Sequence, residues 1–373
     1  MVNKKRVVQL LRQLIAIRSE NPGNDEYAIA RFVRRYLGGM GVKATIYEFK
    51  KRRSNVVAEI KGAETGRSLL ITPHLDTVPA GKGWSCDPFA GTIRRGRLYG
   101  LGATDCKVNI ACALEAMQSL IEDRAALPYT LVFAATANEE SGSDFGLIDL
   151  LDRGILRPSA AVVLDADDFE IVITQKGLMH LKIRITGKRA HGAYPWLGVN
   201  AIDIALEVLR DVKALRFPPG KNRYLRGPTV NIGTIRGGDK VNVVAGWCEC
   251  EIDVRYLPGS LASELLARVK KICRRHAKNF SVEIEGIQKP YAIDRRHPLV
   301  SCLVKAMEEA RAPVAIRGSE GATVITFFQD RGIPAVATGF GREGMAHMTD
   351  EYVPLDNICR GALALEKFLA RWR

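Results

Sequence analysis

Histidine and carboxylate side chains recur at five separated places in this 373-residue chain, several of them just after short apolar runs. His74 and Asp76 follow residues 69–71, Glu139 and Glu140 follow 131–135, and Asp165 directly follows 160–164. Asp105 stands in the glycine-rich stretch GLGATDCK (100–107), and His347 comes after the run at 333–337. Imidazole nitrogens and carboxylate oxygens form a borderline ligand set suited to Zn²⁺, with Co²⁺ or Mn²⁺ as substitutes. One ion cannot use all of these groups. A carboxylate shared by two ions would, and a two-metal site polarises a scissile carbonyl and supplies hydroxide near neutral pH.

Each residue also has a plainer use. An isolated His74 would more often bond to backbone at a strand end, although its H-x-D context argues against that. Glu139 and Glu140 read alternatively as a solvated acidic loop. Asp105 is placed to cap the helix that follows it, a use compatible with metal binding. Asp165 competes with Asp167 and Asp168 for the same role. His180 falls on the polar face of a strand, His276 on a charged helix, and His297 before Pro298 at a helix start, so these three are given no chemistry. Gly100 and Gly102 serve turn geometry, since no dinucleotide fingerprint follows them.

The elements that must position these groups follow from periodicity. Residues 69–71, 131–135, 160–164 and 333–337 are continuous apolar runs, as expected of strands buried on both faces. Helical patterns at 108–121 and 299–310 separate them, which predicts an α/β layer fold with a central sheet flanked by helices. The candidate residues then sit at carboxyl ends of strands, where open α/β sheets bind ligands. Between about 178 and 286 the pattern changes. Leu181, Ile183 and Ile185 alternate with Lys182, Arg184 and Thr186, a half-exposed strand. A helix (200–214), two strands (228–235 and 246–256), a second helix (261–276) and a strand (281–285) follow, the order of the ferredoxin-like split βαβ unit. The expected division is a discontinuous domain, 1–177 with 287–373, interrupted by an inserted α+β domain at 178–286.

Composition narrows the function classes. Hydrophobic residues make up 47% and charged residues 26%, which is ordinary for a folded globular protein. The amino terminus is interrupted by Arg12, Gln13 and Arg18 and reads as an amphipathic helix rather than a signal peptide, and no stretch is long and apolar enough to span a membrane. Eight scattered cysteines without a CxxC pair read as buried thiols, and the cytoplasm is the expected compartment. The net charge of +14 raises nucleic-acid binding. The basic clusters are short, separated and without interleaved aromatics, so solvated faces are the better reading and no nucleic-acid or membrane partner is expected.

The motifs PHLDTVP (73–79), GLGATDCK (100–107), ANEESGS (137–143), LDADD (164–168), QKG (175–177), KRAHGAYP (188–195), DVRYLPG (253–259) and AHMTDEYVP (346–354) occur in this order over nearly the whole chain. So arranged, the sequence resembles the acetylornithine deacetylase, succinyl-diaminopimelate desuccinylase, aminoacylase and carboxypeptidase G group of peptidase clan MH. The resemblance implies a zinc-peptidase-like catalytic domain with a central mixed sheet, and two Zn²⁺ per chain. It implies that Asp105 bridges the ions, that His74 and Asp165 complete one site and Glu140 and His347 the other, and that Asp76 orients His74. Glu139 is the implied general base. The interval from Asp165 to Lys176 matches the family pattern. The inserted domain is implied to be a lid and homodimer interface, with His191 stabilising the oxyanion in cis or across subunits, and Asn242 and Arg255 binding substrate. A surface ion pair is the plainer use of Arg255. The implied reaction is hydrolysis of a small N-acylated amino acid, with an aminoacylase, carboxypeptidase or dipeptidase as the alternative and a polyanion-binding protein as the reading from another class. Val324 stands where relatives often carry aspartate, and Cys106 and Val108 flank Lys107 where smaller or different residues are common.

Overall fold

The computed structural model describes every residue except 65, 218, 219 and 221. The chain divides into two compact units. The first comprises Met1–Ile173, Ile293–Arg317 and Thr323–Arg373; the second comprises Thr174–Ala292 and Gly318–Ala322.

The first unit is built on a mixed sheet. Its centre is four parallel strands in the order Thr130–Ala135, Ser68–Thr72, Ala160–Leu164 and Ala335–Thr338. These are the four apolar runs, and nearly every residue in them is buried. Burial on both faces explains the unbroken apolar pattern. Antiparallel strands flank this centre: the hairpin Ala44–Lys50 and Arg53–Ile60 on one side, Glu170–Gln175 on the other.

Helix Lys107–Glu122 is buried almost all round, with Val108, Ile110, Ala111, Leu114 and Met117 fully covered. It packs between helices Lys4–Ile15 and Leu355–Arg371. The first of these turns Val7, Leu10, Leu11, Leu14 and Ile15 inward and leaves Val8 half-buried, the amphipathic helix expected of the amino terminus. Its N-cap is Asn3, whose Oδ1 accepts the amides of Lys5 and Arg6 at 3.1 Å each. The chain leaves Ser68–Thr72 for a strand on one side and later returns to Ala160–Leu164 on the other. That reversal opens a crevice at the strands' carboxyl ends.

The second unit has an antiparallel sheet in the order Thr229–Gly237, Trp247–Tyr256, Gly177–Thr186 and Phe280–Gln288. Helices Ala201–Lys213 and Ala262–His276 cover one face, burying Met179, Leu181, Ile183 and Ile185 against Val208, Val254 and Val269. This is the β-α-β-β-α-β order read from the sequence. The opposite face is open and charged, as expected of an antiparallel sheet covered once. All eight cysteines are free; six are buried, and Cys86 and Cys359 are half-buried. No described helix is long and apolar enough to cross a membrane.

Candidate active site

Four loops leave the parallel strands at the same edge. After Ser68–Thr72, residue His74 bridges to Thr136, which follows the neighbouring strand. After Thr130–Ala135, Asn138 takes a left-handed conformation (φ +64) and aims the Glu139 and Glu140 amides back at Asp76. Asp165 ends Ala160–Leu164, and the loop after Ala335–Thr338 brings in His347. A fifth group comes from the glycine-rich stretch. Gly102 has φ +81, and a Cβ there would lie 2.9 Å from the Lys107 side chain, so the turn that delivers Asp105 requires glycine.

The delivered side chains converge. His74 Nε2 lies 2.9 Å from Oδ1 of Asp105 and 3.8 Å from Oδ1 of Asp165. His347 Nε2 lies 3.2 Å from Oδ2 of Asp105 and 3.2 Å from Oε2 of Glu140. Asp105 therefore faces a histidine with each of its oxygens. Two groups of potential metal ligands, each with donor atoms within 4.8 Å of one another, share it: His74, Asp105 and Cys106, and Asp105, Glu140 and His347. Asp165 belongs to neither group, although it stands beside His74. The Cys106 thiol exchanges 3.2 Å contacts with the backbone N–H and carbonyl of His74. Asp105 does not cap the helix it precedes; Cys106 holds that position without a side-chain hydrogen bond.

His74 Nδ1 donates to the backbone carbonyl of Asp76 at 2.9 Å, while the Asp76 carboxylate is 3.7 Å away. That carboxylate instead accepts the amides of Glu139 and Glu140, both at 3.1 Å. Asp76 thus fixes His74 through its main chain and the paired glutamates through its side chain.

The electrostatics suit a bound cation. Burial pushes Glu139 well above the ordinary carboxyl range, helped by the charge of Asp165. It raises Glu140 to about 7 and Asp165 to about 6. Burial also opposes ionisation of Asp105, but hydrogen bonds from His347 and His74 outweigh it and hold that carboxyl low. His347 is raised to about 9, chiefly by its bond to Asp105. Among the described residues, no lysine or arginine forms an ion pair with Asp105, Glu139, Glu140 or Asp165. Oε1 of Glu140 is buried without a partner. Desolvated carboxylates, an orphaned oxygen and two imidazoles form a donor set that divalent metal ions fit.

The chain also matches the model of peptidase family M20/M25/M40 over residues 70–371. It belongs to that family. This M20-family chain is 32% identical to an acetylornithine deacetylase of Proteus mirabilis, over 93% of its own length and 92% of that protein. Its fold matches that of aminopeptidase PepT from Bacillus cereus (TM-score 0.82, 22% identity, 99% and 98% of the two chains). It also matches a Bacillus subtilis protein described as a dinuclear metal-binding peptidase of the M20 family (TM-score 0.74, 18% identity, 98% and 97%). The chain is a metal-dependent hydrolase acting on amide bonds.

The oxyanion and substrate-binding candidates of this M20-family chain, His191, Asn242 and Arg255, lie in the second unit. His191 is exposed, pairs with Val243 in a short bridge, and accepts the Ala193 amide on Nδ1 at 3.0 Å. Asn242 lies beside it, its carbonyl accepting the Gly192 amide at 2.8 Å. Arg255 forks onto Asp253 of its own strand at 2.9 and 3.0 Å. His180 and His276 pair with Asp253 and Asp211, and His297 caps a helix, as their positions in the pattern suggest.

Glu351 stands outside the candidate set drawn from the motifs. It is buried, and its two oxygens accept the amides of Gly102 (2.8 Å), Thr104 (2.6 Å) and Asp105 (2.9 Å), clamping the loop that carries Asp105. Burial raises its carboxyl to about 8 against the pull of those three donors. Its place four residues after His347, inside a quoted motif, was the available signal.

Proposed function

We propose that this chain is a two-zinc deacylase that hydrolyses the amide bond of an N-acylated amino acid, of the acetylornithine or acetyl-lysine deacetylase or succinyl-diaminopimelate desuccinylase type. The observation that supports it most is Asp105, with one oxygen facing His74 and the other facing His347. The resemblance to an acetylornithine deacetylase at 32% identity supports the substrate class.

In this reading His74, Asp105 and Asp165 would hold one ion, and Asp105, Glu140 and His347 would hold the other. Two bound divalent cations, zinc with cobalt or manganese as substitutes, would polarise the scissile carbonyl and make water acidic enough to attack near neutral pH. Glu139 does the proton work. Its carboxylate takes the proton of the attacking water and delivers it to the leaving amine nitrogen. Asp76 holds the Glu139 amide and keeps that carboxylate in reach. The inserted unit, with 178–286 as its extent, acts as lid and homodimer interface, and 1–177 with 287–373 carry the catalysis. His191 supplies a donor to the tetrahedral oxyanion, and Arg255 and Asn242 bind the substrate, the guanidinium through its carboxylate. The enzyme works in the cytoplasm.

Prolonged chelation abolishes hydrolysis, and zinc or cobalt restores it; hydrolysis that survives chelation overturns the reading. A screen with either metal across N-acetylornithine, N-acetyl-lysine, N-acetylcitrulline, N-succinyl-diaminopimelate, other N-acyl amino acids and dipeptides ranks substrates by kcat/KM. Highest efficiency on dipeptides would move the chain to the peptidase branch. Steeply salt-dependent DNA binding without bound metal would favour a polyanion-binding protein instead.

A further inference from the structure

The turn Asn138–Ser141 is held from below by residues that bear no ligand atom and touch no reacting group. Asn21 Nδ2 donates to Oδ2 of Asp76 at 3.0 Å and to Oδ1 of Asn138 at 3.2 Å. Arg53 donates to Oδ1 of Asn21 at 3.0 Å and to Oε1 of Glu26 at 2.8 Å. The same Glu26 oxygen accepts the Asn138 amide at 3.1 Å. Segment 19–21 is itself pinned beside residues 75–77, with the Asn21 amide donating to the Thr77 carbonyl at 2.7 Å. Asn21, Glu26, Asp76 and Asn138 are all at most 5% exposed.

We propose that Asn21, Glu26 and Arg53 form a buried brace that positions Glu139, with Arg53 as its keystone. The inference rests on the reading of Glu139 as the general base. Asn138 sits in the left-handed region, which asparagine adopts more readily than most residues with a side chain, and its neighbours hold it there. The brace supplies that hold at both ends of the residue: Glu26 takes its amide and Asn21 its side-chain oxygen. The next two amides then point at Asp76, and Asp76 is itself held by Asn21. Arg53 is the one cation in this group and sits between its two acceptors. Removing it leaves Glu26 beside the Asp76 charge without its counter-ion and leaves the Asn21 oxygen without its guanidinium donor. The turn then loses its fixed amide direction, and the Glu139 carboxylate loses its place above the attacking water.

Arg53→Ala, Arg53→Lys and Glu139→Ala are compared with the wild-type protein. In Arg53→Ala, kcat falls on the order of 10²-fold, the cost expected of a displaced catalytic group, and KM stays near its original value. Arg53→Lys keeps the charge but loses the fork, and lies between the two. Hydrogen exchange on the metal-free protein reads the turn directly. The amides of 138–141 exchange faster in Arg53→Ala, whereas strand Thr130–Ala135 keeps its protection. Unchanged exchange at 138–141 with wild-type kcat overturns the brace. So does faster exchange across the whole sheet, which would make Arg53 a stabiliser of the fold alone. If Arg53→Ala does not fold, Asn21→Ala, which keeps the Arg53–Glu26 pair, is judged by the same two readouts. Full turnover in Glu139→Ala removes the base instead, and the exchange data then decide the brace independently.

Discussion

Carboxylates meet histidine, lysine and arginine on the open sheet of the second unit, and carboxylates meet histidine at the strand ends of the first. The outcomes are opposite. On the sheet, Arg184 reaches Glu249 at 2.6 Å and Glu283 at 2.7 Å, and Lys182 joins Glu251 and Glu285. Asp253 takes His180 at 3.3 Å and Arg255 at 2.9 Å. Each of these acids has a lysine or arginine beside it, from a neighbouring strand or, for Asp253, from its own, and is partly exposed to solvent. In the first unit, Glu139, Glu140 and Asp165 are pushed upward by burial and, among the described residues, meet neither lysine nor arginine in an ion pair. Acids neutralised by neighbouring strands are at rest. Acids desolvated without a cation need one from outside, and this difference rather than residue type marks the site.

The sharpest way to break that contrast is Glu139→Ala. Loss of a general base lowers kcat by about 10²- to 10⁴-fold, with metal content and melting temperature retained. Near-normal turnover would remove Glu139 from the mechanism and make its buried carboxyl merely structural.

Glu26 tests the desolvation half of the contrast. Its carboxyl is raised to about 7 from 4.5, first by burial and then by Asp76, and its Oε2 is buried without a partner. A carboxyl raised in the folded state adds stability that is complete below the unfolded value and is lost as pH rises through the folded one. Glu26→Gln, unable to ionise, should therefore gain on the wild-type protein from pH 4.5 to about 7. The gain reaches at most about 3 kcal/mol above that, measured by denaturant unfolding of the metal-free proteins. A stability difference independent of pH would show that Glu26 ionises as it does in water.

Much of this was legible in the sequence for a physical reason. The parallel strands are buried on both faces and read as unbroken apolar runs, so the residues just past their ends, His74, Glu139, Glu140 and Asp165, were found with them. The second unit announced itself by strict alternation, because its sheet is covered once. The hairpin Ala44–Lys50 with Arg53–Ile60 was not visible, since its first strand is only half covered and gives no apolar run. Asp76 meets the His74 ring with its backbone carbonyl and the glutamate amides with its carboxylate, and a two-residue spacing carries no information about such a turn. Asn21, Glu26 and Arg53 act through partners up to 117 residues away, and Asn21 in its N-P-G context signals only a helix stop.

Glu351 separates positioning from charge. Glu351→Gln replaces an acceptor by an NH₂ group facing amide donors, so the loop holding Asp105 loosens while no proposed ligand is removed. Metal affinity, measured by chelator competition, should fall about 10- to 100-fold, as when groups behind a ligand are changed. Unchanged affinity would show that the glycine-rich turn sets Asp105 without the clamp.

The smallest effect is expected on the sheet of the second unit, and its smallness is what the comparison requires. Arg184 is half exposed and shared between two glutamates that water also solvates. Replacing it by methionine removes a screened attraction and frees a long side chain, terms that oppose each other. Arg184→Met should leave kcat, KM, metal content and melting temperature unchanged at physiological salt. A fall in turnover with the fold intact would show that this charged face does more than meet solvent, and the contrast between resting and cation-seeking acids would no longer locate the site.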